Sequence, residues 1–139
     1  RQGKMKLGVT GTRSGMTDRQ RKEVEDFLRR IFTRGDELHH GDCIGVDVQV
    51  AYLAYTIGYK IICHPPIDQC LRAVSGFNDV VHEPKTHFAR NRSIVDSVDF
   101  LIVVPWETSP QPKGGTWYTR DYAVKKKVDH RIFYTELLF

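Results

Sequence analysis

Four short segments of the sequence contain residues suited to binding phosphate. They are Gly8–Arg13, His40–Asp47, Arg90–Arg92 and Lys113–Thr116. Three of them contain glycines where a predicted strand meets a predicted helix, and the free backbone amides of such a turn attract anions. The remaining segment, Arg90–Arg92, adds two arginines early in a predicted helix. Together the segments predict a pocket for an anionic ligand of the nucleotide type.

The first segment combines backbone freedom with two polar side chains. Gly11 allows the chain to turn tightly and to approach a ligand closely, because it has no Cβ. Thr12 offers a hydroxyl group, and Arg13 offers a planar guanidinium whose donors match a phosphate. We therefore predict that Gly11, Thr12 and Arg13 contact the ligand.

The second segment is a turn that leads into a helix. Gly41, Asp42 and Gly45 form this turn, and the amides at the start of the helix would favour a bound anion by about 0.3–1 kcal/mol. Asp47 lies in the first helical turn, where it either caps the helix or binds a ribose hydroxyl, since a carboxylate repels phosphate. These four residues are the second set of predicted ligand contacts.

The arginine segment and the last glycine segment complete the predicted pocket. Arg90, Asn91 and Arg92 follow one another in a helix, so the two arginines point about 200° apart and one of them faces the ligand. A charge-assisted hydrogen bond from an arginine contributes about 1.5–3 kcal/mol. The start of the final helix supplies the last predicted contacts, Gly114, Gly115 and Thr116.

Aromatic residues surround the last segment. Trp106 and Trp117 either stack on a nucleobase or belong to the core or to a subunit interface. Tyr118, Tyr122 and the C-terminal residues Leu137–Phe139 add apolar surface. Because a monomer would leave such surface exposed, we expect a homo-oligomer, most simply a dimer.

Composition restricts the class of protein. A chain of 139 residues with 40% apolar and 27% charged residues is typical of one globular domain. We expect this domain to span residues 5–139, with Met5 as the natural start and residues 1–4 as a remnant or disordered arm. No run of about 18 apolar residues predicts a membrane helix, so no membrane partner is expected.

The net charge and the cysteines predict the charge of the ligand and the location of the protein. The net charge of +4 suits an anionic partner. Three cysteines without Cys-x-x-Cys spacing favour a reducing, cytoplasmic location. We expect no metal ion and no cofactor, because the candidate zinc ligands lack the usual short spacing; these are Cys63, His64, Cys70, His82 and His87.

The predicted elements alternate between strand and helix. Strands are predicted at 6–10, 37–40, 59–63, 100–104 and 131–135, and helices at 17–34, 46–57, 86–97 and 116–127. This alternation predicts an α/β fold, a Rossmann-like three-layer sandwich with about five parallel strands and helices on both faces. Residues 64–85 show no regular pattern, and a loop of that length is often functional.

The four segments, in this order, resemble the SLOG superfamily, the Rossmann-like group that contains DNA-processing protein A and the "lonely guy" phosphoribohydrolases. The resemblance covers Lys6–Tyr134. His40–Asp47 is similar to the second turn of the family, and Phe88–Ile94 is similar to its Arg-Asn-Arg segment. The resemblance implies a parallel sheet with a nucleotide-type ligand at the carboxyl ends of the strands.

The same resemblance bears on catalysis. Arg90 matches the active-site arginine position of the phosphoribohydrolases, but Thr119 stands where their motif Gly-Gly-x-Gly-Thr-x-x-Glu has its glutamate. Glu107 or Glu83, on loops near the expected cleft, would replace that carboxylate. Asp121 lies nearby as a further candidate, although it points about 200° away from Thr119. Arg90, Glu107 and Asp121 are therefore the predicted catalytic residues.

Three functions follow from the predicted pocket. In the first, the chain binds a nucleotide or phosphorylated nucleoside derivative, and a catalytic form hydrolyses its N-glycosidic bond. In the second, the same pocket belongs to a non-catalytic sensor or sequestering module, which the missing glutamate favours. In the third, Arg90, Arg92 and Lys113 form a basic strip that binds single-stranded DNA, by analogy with the DNA-processing branch.

Overall fold

Six parallel strands and four helices form the structure. The computed structural model describes residues 3–136. Its strands are β1 (Lys6–Gly11), β2 (Glu37–His40), β3 (Lys60–Cys63), β4 (Val80–Val81), β5 (Phe100–Val104) and β6 (Asp129–Ile132). Its helices are α1 (Asp18–Ile31), α2 (Val46–Ile57), α3 (His87–Ser97) and α4 (Gly115–Lys125). The predicted interface residues Leu137–Phe139, and residues 1 and 2 of the predicted remnant, lie outside the described residues.

The strand order across the sheet is β4-β3-β2-β1-β5-β6. Helices α1 and α2 pack together over one face of the sheet, and α3 and α4 pack together over the other. This confirms the predicted α/β sandwich with helices on both faces. The chain proceeds from β1 towards one edge and later resumes on the other side of β1 with β5. Such a reversal leaves a crevice at the carboxyl ends of the two strands, where ligands of open α/β sheets bind.

The sheet has one strand more than predicted. Strand β4 lies inside the segment predicted as a loop, where Val80 pairs with Ile62 and Val81 pairs with Cys63. Both valines are exposed, and two residues are too few to show the alternation that marks a strand. The local sequence therefore gave no signal for β4.

Two predicted boundaries also need correction. The first helix ends at Ile31 instead of residue 34, because Phe32 adopts an extended conformation. The last strand runs from Asp129 to Ile132 instead of 131–135, and it begins opposite Phe100 of β5. Its first two residues, Asp129 and His130, are polar, so hydrophobic periodicity did not reveal them.

A buried glutamine fixes the start of α1 against the sheet. Thr17 and Gln20 form a reciprocal capping box, with hydrogen bonds of 3.1 and 3.0 Å. The amide of Gln20 also donates to the carbonyls of Pro105 and Phe133, both at 2.8 Å. The first turn of α1 is thereby attached to the segments that follow β5 and β6. This helix, the longest in residues 3–136, has 14 residues, too few for a membrane span of about 20.

Two glycines let helices approach β1 closely. A Cβ on Gly8 would lie 2.9 Å from Cγ2 of Ile94 in α3. A Cβ on Gly11 would lie 2.6 Å from Cβ of Val46 in α2 and 2.7 Å from the carbonyl oxygen of Val104. Real side chains essentially never approach so closely, so the end of β1 meets the start of α2 only because Gly11 has no side chain.

Gly11→Ala should therefore destabilise the protein by about 1–3 kcal/mol, the usual cost of overpacking a closely packed site. Urea unfolding followed by circular dichroism measures the change. Gly76→Ala is the control, because a Cβ there meets nothing within 4 Å. Equal stability of the two variants would contradict the close packing at Gly11.

Candidate functional site

A cleft of about 520 Å³ opens at the carboxyl end of β1, between the turn before α2 and the starts of α3 and α4. We refer to it as the first cleft. Its lining residues are Thr10, Gly11, Thr12, Arg13, Cys43, Asp47, His87, Phe88, Arg90, Asn91, Gly115 and Thr116. All four predicted segments thus contribute to it. The predicted contacts outside this lining are Gly41, Asp42, Gly45, Arg92 and Gly114.

The first two segments pack on each other through their backbones. The carbonyl of Thr12 accepts a hydrogen bond from the amide of Val46 at 3.0 Å. Gly45 has a φ of +89°, and a Cβ there would lie 2.5 Å from the carbonyl oxygen of Arg13. Gly45 therefore shapes the wall of the cleft without lining it. The hydroxyl oxygen of Thr12 accepts from the amide of Ser14 at 3.2 Å, so its proton can point towards a ligand.

Two features of the first cleft attract anions. The side chain of Arg13 is exposed, and within residues 3–136 it forms no hydrogen bond or ion pair. Helix α4 begins at the cleft with Gly115 and Thr116, and no side chain caps it. Because the first amides of a helix have no partner inside the helix, they can donate to an anion.

Arg90 lies on the floor of the cleft, with its donors directed at protein atoms. The residue is 4% exposed. Its Nη1 donates to the carbonyls of Gly41 and His64, its Nε donates to Asn91 Oδ1 at 2.7 Å, and its Nη2 lies 3.3 Å from Nδ1 of His87. Arg90 therefore joins α3 to the ends of β2 and β3, and it supports the cleft through these contacts.

Asp47 supplies a carboxylate to the cleft. It is 7% exposed, and its Oδ2 accepts from the amide of Gly41 at 3.0 Å. Burial raises the pKa of Asp47, while Arg90 and the backbone amides of Gly41 and Cys43 act in the opposite direction. Burial also raises the pKa of the Cys43 thiol, so Cys43 presents a neutral thiol to the cleft at neutral pH.

Asp42 stabilises the turn and does not line the first cleft. Its fully buried carboxylate accepts hydrogen bonds from Nε of Arg72 and Oγ of Ser75, each at 2.7 Å. Burial opposes ionisation, but these donors outweigh burial and lower the pKa of Asp42 below its usual value. Asp42 therefore anchors residues 72–75 to the turn before α2. Only tertiary contacts reveal this role, since its partners lie about thirty positions away.

The carboxylates predicted for catalysis lie outside the first cleft. Glu107 accepts a hydrogen bond from Nε1 of Trp117 at 3.0 Å. Asp121 lines a second cleft of about 610 Å³, together with Arg92 and Gly114. Glu83 lines a third, smaller one of about 290 Å³.

Thr119 and Trp117, near the start of α4, are buried and support the structure. Thr119, which the sequence comparison aligned with the glutamate of the phosphoribohydrolase motif, is buried and donates to the carbonyl of Gly115 at 2.7 Å. Trp117 is 1% exposed and belongs to the interior, whereas Trp106 is 61% exposed. Phe88, which the sequence did not single out, is exposed at the cleft and packs on Tyr118 with a centroid distance of 4.5 Å.

A row of histidines lies beside Arg90. Nε2 of His39 is 2.8 Å from Oε1 of Glu37, and Nδ1 of His39 is 2.8 Å from Nε2 of His64. Because a carboxylate can only accept, a neutral His39 donates to Glu37 and accepts from His64. Burial lowers the pKa of His64 to about 3, and the charges of His39 and His82 act in the same direction. Burial also lowers the pKa of His39.

Three buried residues place potential metal ligands within 4.8 Å of one another: His40, Asp42 and Cys63. Nδ1 of His40 accepts from the amide of Asp42 at 3.0 Å, and Nε2 donates to Asn78 at 2.7 Å. Burial raises the pKa of the Cys63 thiol to about 12. Both ring nitrogens and the carboxylate already have protein partners, so we assign no metal to this group.

Arg90→Met should destabilise the protein by about 3 kcal/mol, because it leaves buried carbonyls without donors beside a buried carboxylate. Arg30→Met is the matched control, because Arg30 is exposed in the last turn of α1, and it should leave the urea midpoint nearly unchanged. Urea unfolding of both variants at pH 7 measures the difference. A small effect of Arg90→Met would show that the contacts of Arg90 do not support the cleft.

The buried histidines predict loss of stability on mild acidification. His64 stays neutral in the folded protein but takes up a proton near pH 6.5 when unfolded, so the unfolded state binds more protons between pH 6.5 and 3. The free energy of unfolding should therefore fall by about 2 kcal/mol from pH 7 to pH 5 through His64 alone. His64→Gln should reduce this difference between the two pH values, and urea titrations at both values measure it. An unchanged difference would contradict the neutral state of His64.

No protein-family model matches the chain, and no curated protein sequence matches it. Solved structures do share its fold. The molybdenum cofactor binding protein from Rippkaea orientalis has a TM-score of 0.73 and 20% identity, over 98% of this chain and 80% of that one. The molybdenum cofactor carrier protein from Chlamydomonas reinhardtii has a TM-score of 0.67 and 22% identity, over 94% and 76%.

A third similar structure is DNA processing protein A from Helicobacter pylori, whose structure describes a single-stranded DNA binding mode. Its TM-score is 0.66 at 18% identity, over 92% of this chain and 64% of that one. At these identities the likeness establishes the fold alone. The chain therefore has the Rossmann-like α/β fold that these three proteins share.

Proposed function

We propose that this chain is a SLOG-type protein that binds a nucleotide or phosphorylated nucleoside derivative in the first cleft. The observation that carries the proposal is the meeting of Arg13 and the uncapped start of α4 in one cleft at the carboxyl end of β1. A phosphate there would receive donors from a guanidinium and from helix amides. The names of the similar structures, which include a cofactor carrier, agree with a binding role.

The cleft is chemically different at its two ends. Arg13, Gly115 and Thr116 offer donors to a negative charge, whereas the carboxyl group of Asp47 offers oxygen atoms that accept from a hydroxyl. The phosphate should therefore lie towards α4, and a ribose hydroxyl that donates to Asp47 should lie towards α2. Phe88 offers its exposed ring as a stacking surface for the base.

Binding without hydrolysis fits the cleft better than the phosphoribohydrolase alternative. Of the aspartates and glutamates in residues 3–136, Asp47 is the one that lines the first cleft. Its carboxylate is held by the amide of Gly41, and Thr119 replaces the family's glutamate. A carrier, sensor or sequestering module needs only the donors that this cleft provides.

Titration calorimetry with adenosine 5′-monophosphate tests the proposal. Arg13→Ala should weaken binding about tenfold or more, since a charge-assisted hydrogen bond contributes about 1.5–3 kcal/mol. Arg30→Ala is the matched control, because it removes the same charge from an exposed position in the last turn of α1.

Two outcomes of this experiment would count against the proposal. Equal losses in the two variants would mean that general charge, not the cleft, governs binding. Release of free adenine from the nucleotide during prolonged incubation, detected by mass spectrometry, would favour the hydrolytic alternative, whereas we expect the nucleotide to be recovered intact.

A further inference from the structure

The second cleft, of about 610 Å³, adjoins the first. Its lining residues are Phe88, Arg92, Pro112, Lys113, Gly114, Tyr118, Asp121, Tyr122 and Lys125. Phe88 lines both clefts. The consecutive residues Gly114 and Gly115 line the second and the first cleft respectively. A ligand that extends past this pair of glycines would therefore enter both.

The second cleft carries an excess of positive charge. Arg92, Lys113 and Lys125 contribute cations, and Asp121 contributes one carboxylate. That carboxylate already accepts a hydrogen bond from Nε of Arg120 at 2.8 Å. The three cations therefore outweigh the negative charge in the cleft, and the surface is suited to a further phosphate.

Aromatic rings form part of the same cleft. Phe88 and Tyr118 pack at a centroid distance of 4.5 Å. Tyr118 accepts a hydrogen bond from Nη1 of Arg92 at 2.8 Å, and Tyr122 donates to Asp96 at 2.9 Å. These bonds fix the orientation of both tyrosines. Cations next to oriented rings are the combination that binds a phosphate and its stacked base.

Each cleft alone has the volume typical of a small-molecule site, which is about 300–1,000 Å³. A mononucleotide in the first cleft would leave the second one empty, although its cations and rings are arranged for similar chemistry. We propose that the second cleft is a subsite for a second nucleotide unit, so that the preferred ligand is a dinucleotide. This inference rests on the proposed function of the first cleft.

A length series of 5′-phosphorylated adenylates tests the subsite. Titration calorimetry compares adenosine 5′-monophosphate with its dinucleotide and trinucleotide, pApA and pApApA. We expect pApA to bind at least tenfold more tightly than the mononucleotide, because its second base can stack on the rings of the second cleft. The trinucleotide should bind no more tightly than pApA.

A lysine variant assigns the gain to the second cleft. Lys125 lines the second cleft and not the first. Lys125→Glu should therefore lose most of the advantage of pApA while keeping its affinity for the mononucleotide within about twofold. The control Lys60→Glu reverses the charge of an exposed lysine elsewhere and should keep the advantage. Because both lysines are exposed, the variants are expected to fold normally.

Each other outcome has a definite meaning. Equal affinities for the mononucleotide and pApA would refute the second subsite alone. A steady gain in affinity with every added nucleotide would indicate a surface for single-stranded nucleic acid instead of a second subsite. An equal loss of affinity in the control variant would show that general charge attraction accounts for the gain. Failure of every phosphorylated probe to bind would refute the proposed function of the first cleft itself.

Discussion

The buried guanidinium of Arg90 is the interaction on which the cleft depends. It reaches from α3 to the carbonyls of Gly41 and His64, which follow β2 and β3. A Cβ on Gly41 would lie 2.5 Å from Nη1 of Arg90 and 2.8 Å from Oδ2 of Asp47. The arginine, the glycine and the carboxylate are therefore mutually dependent. Gly41 donates to Asp47 and accepts from Arg90, so both side chains hold the turn before α2 in place.

The residues that support the cleft therefore differ from those that would bind a ligand. Because the donors of Arg90 are directed at carbonyls and at Asn91, they are already engaged before any ligand arrives. A phosphate would then depend on Arg13, which has no partner in the described part of the chain, and on the amides of α4. The floor of the cleft is rigid because it is hydrogen-bonded, whereas the exposed side chain of Arg13 can adapt to the ligand.

Local sequence signals predicted the strands and helices other than β4, and they singled out four segments that all reach the first cleft. They did not predict which side chains support the cleft and which face into it. Gly11 is a local feature, and the helix predicted over 17–34 begins next to the observed start of α1 at Asp18, so β1 and the start of α1 could be predicted from the local sequence. Asp42 and Arg90 look equally suited to a ligand in the sequence. Their partners lie 30 and 49 positions away, and only the folded chain shows that both are largely occupied by protein atoms.

The division between supporting and ligand-binding residues also accounts for an acidic side chain in a cleft that we propose to bind an anion. Asp47 stabilises the turn by accepting from Gly41, and the charge of Arg90 acts on it across the cleft floor. The α2 end of the first cleft therefore offers carboxyl oxygens to a hydroxyl, and the proposed phosphate would lie at the α4 end, beside Gly114 and Gly115. A phosphate held there would lie at the junction of the two clefts. The polarity that Asp47 gives the first cleft would then also direct an extended ligand into the second.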